Sequence, residues 1–211
     1  MTMSLTDEGY IKFQAVWQQT EPVADDTALQ ALIEARQLLY GAGLIGQLPD
    51  GIGYGNISQR LRPGSHEFII SGSATGGIAQ LTTAHFALVT AVDIAGNQLY
   101  CAGPVIASSE SMSHAAVYLR CPEAMAVIHV HHYPMWASLL DNYPTTAPEA
   151  TYGSPQMAFS IINLFDTTDL LSRKLLVMRD HPEGIIAFGE LAETSKRLVE
   201  LAAQVRGSKP A

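Results

Sequence analysis

Apolar and polar positions alternate along the chain with two periods, and their boundaries predict most of its elements. Residues 5–19 mix apolar and polar side chains at loosely helical spacing. A clearer helix follows: Asp25 or Asp26 can cap it, Leu29, Leu32, Ile33 and Leu39 form one stripe, and Gly41 and Gly43 stop it. The glycine-rich stretch 41–55 reads as a loop. Short strands are expected at 57–61 and 67–71 around the turn Arg62-Pro63-Gly64-Ser65, and a hairpin at 86–94 and 98–101 around Ala95-Gly96-Asn97. Helical spacing returns at 110–120, with Ser108 and Ser109 as possible caps, and Cys121-Pro122 ends it. Residues 124–131 have the character of a buried strand. Pro134 suits the first turn of a helix reaching about 141. A loop at 143–154, a helix at 156–165, strands at 175–178 and 184–188 and a terminal helix at 191–205 complete the pattern. Short strands interspersed with helices predict an α/β or α+β sheet covered by helices.

Composition narrows the setting. Of 211 residues, 47% are apolar and 15% charged, which excludes a disordered chain. No repeat or low-complexity segment divides the chain, so one domain over 1–211 is expected. The net charge is -8 with only 12 scattered Lys and Arg, so nucleic acid is not an expected partner. An anionic ligand would have to be held by neutral donors, a metal or a few local cations. Cys101 and Cys121 read as buried free thiols rather than a disulfide framework. Without a membrane-length apolar run or a signal-peptide pattern, a cytoplasmic location is expected.

Three short segments carry chemistry. In His129-Val130-His131-His132, strand geometry puts His129 and His131 on one face and His132 on the other. Imidazole is a preferred zinc ligand, although a buried, hydrogen-bonded histidine beside surface ones fits the same pattern. A catalytic metal wants three protein ligands and an open position, and His181, after Met178-Arg179-Asp180, is the natural third. Ser108-Ser109-Glu110 puts two hydroxyls, N–H groups and a carboxylate at a helix start, and His114 lies one turn further on the same face as a packing or supporting residue. Gly55-Asn56-Ile57-Ser58 and Ser71-Gly72-Ser73 can bring amides close to a phosphate or carboxylate.

Together and in this order, these segments resemble the class II aldolase/adducin family. The resemblance runs from Gly55-Asn56-Ile57-Ser58 through Ser71-Gly72, Ser108-Ser109-Glu110 and His129-x-His131 to His181, within a core of about 28–205. The 19-residue step from Glu110 to His129 (129 minus 110) is close to the family's own. The resemblance implies a single-domain, three-layer α/β/α fold with a largely antiparallel central sheet. It implies a divalent metal on His129, His131 and His181, usually zinc, with manganese, cobalt or iron as alternatives. Glu110 would be the general acid/base, or would move between metal and substrate. Gly55, Asn56, Ser71, Gly72, Ser108 and Ser109 would line the anionic end of a small-molecule substrate. A cytoplasmic homotetramer with sites at subunit interfaces is implied as well.

The activity so implied is that of an aldolase-type carbon–carbon lyase acting on a small phosphorylated sugar or related hydroxy-carbonyl compound through a metal-stabilised enediolate. An epimerase, dehydratase or decarboxylase on the same site is the alternative, as is a non-catalytic, adducin-like interaction module. Three departures stand out. Ala107 replaces the usual proline, Pro182-Glu183 separate His181 from Gly184, and the tail 207–211 has no tyrosine. Glu183 and Tyr152 are further candidates for the site.

Overall fold

A computed structural model describes residues 11–207, the last two by backbone alone. The chain runs β1 (Gln14–Gln19), α1 (Asp26–Gly41), β2 (Gly46–Gln47), β3 (Gly53–Tyr54), β4 (Asn56–Arg60), β5 (Phe68–Ser71), β6 (Phe86–Asp93) and β7 (Gln98–Gly103). It continues through α2 (Ser111–Arg120), β8 (Ala126–His131), α3 (Tyr133–Leu139), α4 (Pro155–Thr167), α5 (Leu170–Arg173), β9 (Leu175–Val177), β10 (Gly184–Gly189) and α6 (Leu191–Gly207). Eight strands form one sheet in the order β1-β7-β6-β5-β4-β8-β10-β9, and β2 and β3 pair as a separate ribbon. Every neighbouring pair in the large sheet is antiparallel except β1–β7.

Strand alternation divides the core between the two sheet faces. On one face, Phe68, Val127, Ile186 and Phe188 pack with Met112, Ala116, Met157, Ile161 and Leu170 from α2, α4 and α5. On the other, Ile57, Ile128, Val130 and Ile185 pack with Leu32, Leu39, Met135, Leu198 and Ala202 from α1, α3 and α6. The result is the expected three-layer α/β/α arrangement. Among the described residues no helix is long and apolar enough to cross a membrane. Cys101 and Cys121 are buried and unpaired, as the sequence suggests.

Local chemistry explains the helix boundaries. Asp25 accepts the Ala28 N–H at 2.8 Å and starts α1. Gly43 adopts φ +72° just past its end, a left-handed turn that lets Leu44 N–H return to the Leu39 carbonyl. Ser154 caps α4 ahead of Pro155. The cap of α2 is Glu110 itself; Ser108 and Ser109 precede it.

The reading of residues 5–19 as loosely helical does not hold for its described part, and residues 5–10 lie outside the described residues. Residues 14–19 form an edge strand parallel to β7, anchored by Trp17 Nε1 donating to the Gly103 carbonyl at 3.0 Å. Its side chains are mostly exposed, so no periodic buried face marks it as a strand. The ribbon β2–β3 inside the 41–55 loop and the single turn of α5 are too short to leave a periodic signal.

Candidate metal centre and anion pocket

The two-residue period of β8 puts His129 and His131 on the α2 side of the sheet, at the strand's C-terminal end. His181 comes from the turn between β9 and β10. Gly184 N–H closes that turn on the His181 carbonyl at 2.8 Å. Glu183 takes the left-handed φ of +74° that the two extra residues demand. A Cβ on Gly184 would lie 2.6 Å from the His181 ring, so a glycine is required for the ring to sit there. The Pro182-Glu183 departure therefore changes the turn without removing His181 from the cluster.

The three imidazoles converge through their Nε2 atoms. His131 Nε2 lies 3.1 Å from His129 Nε2 and 3.0 Å from His181 Nε2, and all three residues are buried. Nitrogens around a tetrahedral zinc ion, about 2.0–2.1 Å from the metal, stand roughly 3.3 Å apart, so the cluster matches such a site to within a few tenths of an ångström. The tautomer agrees. His129 Nδ1 lies 3.2 Å from the Ile185 carbonyl, which can only accept, so Nδ1 carries the proton and Nε2 keeps its lone pair toward the cluster. Burial pushes the His129 imidazole down to about 4. Burial, then the neighbouring imidazoles, holds His131 and His181 well below the usual histidine range. Near neutral pH the three rings are thus uncharged, the state that metal binding requires.

These shifts predict a pH dependence for the metal-free chain. Between about pH 6.5 and 4 the unfolded imidazole takes up a proton that folded His129 refuses. Stability is therefore fully present above pH 6.5 and is lost as pH falls through that window, by roughly 3 kcal/mol for His129 alone. Urea unfolding of chelated protein from pH 8 to 5 should show this slope, and His129→Ala should make it shallower while His131, His181 and His114 keep the remainder. Equal slopes in the two proteins would refute the assignment.

His132 points away, and its Nδ1 accepts the Met135 N–H at 3.2 Å as the cap of α3, the structural part expected of it. His114 is not a ligand either. Its Nδ1 meets Ser58 Oγ at 2.7 Å, and Ser58 Oγ meets the Tyr118 hydroxyl at 2.8 Å, a buried polar link between β4 and α2. Burial, then the nearby His129, keeps His114 well below its ordinary value, and burial raises the Tyr118 phenol.

A pocket opens beside the cluster. Gly55, Asn56, Gly72, Ser108, Ser109, Glu110, His129 and His181 all line it. Ser71 does not: its hydroxyl is turned back to accept the Ile57 N–H at 3.2 Å. Glu110 is buried, and its Oε2 accepts the Ser113 hydroxyl at 2.9 Å, at the helix start where the dipole of α2 favours negative charge. Asn56 is buried, and its Oδ1 has no hydrogen-bond partner among the described residues. Glu183 is not among the lining residues, whereas Tyr152 is, and its ring stacks on His181 at 4.5 Å with Lys12 Nζ 3.8 Å from its centroid. Sequence reasoning missed Gly53, Tyr54, Ala74, Thr75 and Gly76. The run Gly72-Ser73-Ala74-Thr75-Gly76-Gly77, small and hydroxyl-rich, was the available signal.

A sequence profile described as Class II Aldolase and Adducin N-terminal domain matches residues 30–205. The chain belongs to this family. Solved structures of class II aldolase type share the fold. The L-fuculose-1-phosphate aldolase of Thermus thermophilus is 23% identical, with 86% of this chain and 97% of that one covered at a TM-score of 0.57. The Klebsiella pneumoniae protein YgbL, whose description leaves aldolase, epimerase and decarboxylase open, is 17% identical, with coverage of 89% and 93% and a TM-score of 0.60. A sugar-phosphate aldolase of Thermotoga maritima is 16% identical, with coverage of 87% and 97% and a TM-score of 0.59. At these identities the likeness is one of fold. Comparison with curated proteins gives no match. Class II aldolases are generally metal-dependent, and the histidine triad of this member has the donor set for it.

Proposed function

We propose that this chain is a divalent-metal-dependent carbon–carbon lyase of aldolase type, acting on a small phosphorylated sugar or related hydroxy-carbonyl compound. The observation that carries the proposal is the convergence of three neutral Nε2 atoms beside a buried carboxylate and a pocket wall of amides and hydroxyls. His129, His131 and His181 would hold the ion, with zinc favoured by the three-imidazole donor set. When bound, that ion supplies a Lewis acid that neutralises negative charge developing on the substrate's carbonyl oxygen. Glu110, oriented by Ser113, takes the proton from the hydroxyl on the carbon that becomes the aldehyde. It then returns a proton to the carbon released by bond cleavage. Asn56, Ser108, Ser109 and the 72–76 backbone orient the anionic end, and the Tyr152 ring screens His181 from water. A cytoplasmic homotetramer, a single domain over 1–211, and places for Gly55 and Gly72 beside the anion complete the reading.

The test is a panel of ketose phosphates and hydroxy acids, given to metal-loaded protein and followed both for aldehyde release and for isomer formation. Aldehyde release with equal formation of a three-carbon product establishes the lyase. Isomer or carbon dioxide as the only product replaces it with an epimerase or decarboxylase on the same residues. Protein that binds no divalent ion and turns over nothing is a non-catalytic, adducin-like module.

A further inference from the structure

Arg36 is a guanidinium buried to 1% exposure in α1, a helix that supplies no residue to the pocket. Its Nη2 donates to the Thr75 carbonyl at 3.1 Å and the Gly76 carbonyl at 2.7 Å, and its Nη1 to the Ala79 carbonyl at 3.2 Å. Its other contact is the Tyr40 ring, 4.6 Å from Cζ. Burying a full charge is costly unless it is paired, yet among the described residues no carboxylate faces this one. Three carbonyls take three of its five N–H donors and leave its charge in place.

The loop it grips is the pocket wall. A trans peptide points its C=O and the following N–H in opposite directions. With the Thr75 and Gly76 carbonyls fixed on Arg36, the N–H groups of Gly76 and Gly77 face away from it. Among the described residues, the N–H groups of Ala74, Thr75, Gly76 and Gly77 have no hydrogen-bond acceptor, while those of Ser73 and Ile78 are bonded. Ala74 has a left-handed φ of +60°, the kind of kink that aims successive N–H groups toward one point. The loop is also packed closely against the β2–β3 ribbon, whose Gly53 and Tyr54 line the same pocket. A Cβ on Gly76 would lie 2.4 Å from the Gly46 carbonyl and 2.8 Å from the Gly53 Cα, on the β2–β3 ribbon.

We infer that Arg36 is the positioning residue of the anion pocket. It sets the peptides of residues 75–77 by their carbonyls and places an uncancelled positive charge behind the N–H groups that meet the anionic group of the ligand. This gives a chain of net charge -8 a local cation where an anion must sit. The inference rests on the proposed reading that the substrate is anionic, and not on which reaction follows.

The probe is inorganic phosphate, titrated into the purified metal-loaded chain and followed by phosphorus NMR line broadening, with metal content and unfolding temperature measured on the same samples. Arg36→Met should weaken phosphate binding roughly tenfold or more, with metal content unchanged. Arg36→Lys, which keeps a charge in the same helix but loses the planar fork, should fall between wild type and Arg36→Met and preserve the fold if Arg36→Met does not. Once a substrate is known, Arg36→Lys should raise KM far more than it lowers kcat. Wild-type phosphate affinity in a folded Arg36→Lys or Arg36→Met protein overturns the inference, as does a wild-type chain that binds no phosphate. Phosphate binding with no turnover on the sugar panel would instead count against the lyase reading alone.

Discussion

Replacing His131 by alanine is expected to abolish metal binding and turnover together. His131 Nε2 is the atom shared by both short contacts of the cluster, at 3.1 Å to His129 and 3.0 Å to His181. Without it two imidazoles remain, fewer than the three ligands that catalytic zinc sites use. Loss of an outer partner alone typically costs 10–100-fold in affinity or activity, so loss of a ligand should exceed about 100-fold. The fold should persist, because the apolar residues of β8 (Val127, Ile128, Val130) hold the strand in both cores. Elemental analysis of protein purified without chelator or nickel, beside circular dichroism, checks this. One ion per chain in wild type and none in folded His131→Ala is the expected result. A full metal complement in the variant would remove the centre as described.

Glu110→Gln is expected to separate binding from chemistry. Glutamine keeps the shape and can still accept the Ser113 hydroxyl, but it cannot take up a proton. Positioned acid–base groups contribute roughly 10²–10⁴-fold, so kcat should fall by that much while metal content stays at the wild-type level. Because Glu110 is buried at the start of α2, the neutral side chain also loses the favourable helix-dipole contact, worth about 0.3–1 kcal/mol. Stability should therefore change only slightly. Steady-state kinetics on the substrate found by the panel, with metal analysis on the same preparation, decide it. Turnover within about threefold of wild type would show that Glu110 is a structural cap and not the proton carrier.

The site is legible in the sequence in unequal parts. His129 and His131 can be paired from strand period alone, and Glu110 can be placed at a helix start from the serines before it. His181 is readable only as a candidate, since 50 residues and a strand reversal separate it from His131. Ser71 shows what pairing adds to a sequence reading. In the sequence it sits in a Ser-Gly-Ser run beside the anion-binding candidates; in the structure its hydroxyl accepts the Ile57 N–H, and it is not among the residues that line the pocket. Residues 74–76 escape a sequence reading because small residues in a glycine run carry no periodic signal, and only the fold brings them to the pocket. Arg36 is invisible for a related reason. Its residue type is ordinary on a helix, and only the packing of α1 against the loop makes it a buried partner of carbonyls 39 to 43 residues away.

By itself, the sequence determined the elements whose signal is local. These include the capped helix α1, the hairpin of β6 and β7, the fully buried strand β8 and the proline-started helices α3 and α4, each dictated by side-chain spacing and turn chemistry within about a dozen residues. The tertiary structure alone decided the parallel edge strand β1, the convergence of three Nε2 atoms from two separate segments, and the placing of residues 72–76 along the pocket. Those depend on backbone pairing and on where distant chain segments are pressed together. Such contacts are stabilised by burial of the whole core against the entropy of ordering the chain, and they leave no trace in the order of residues at any one point.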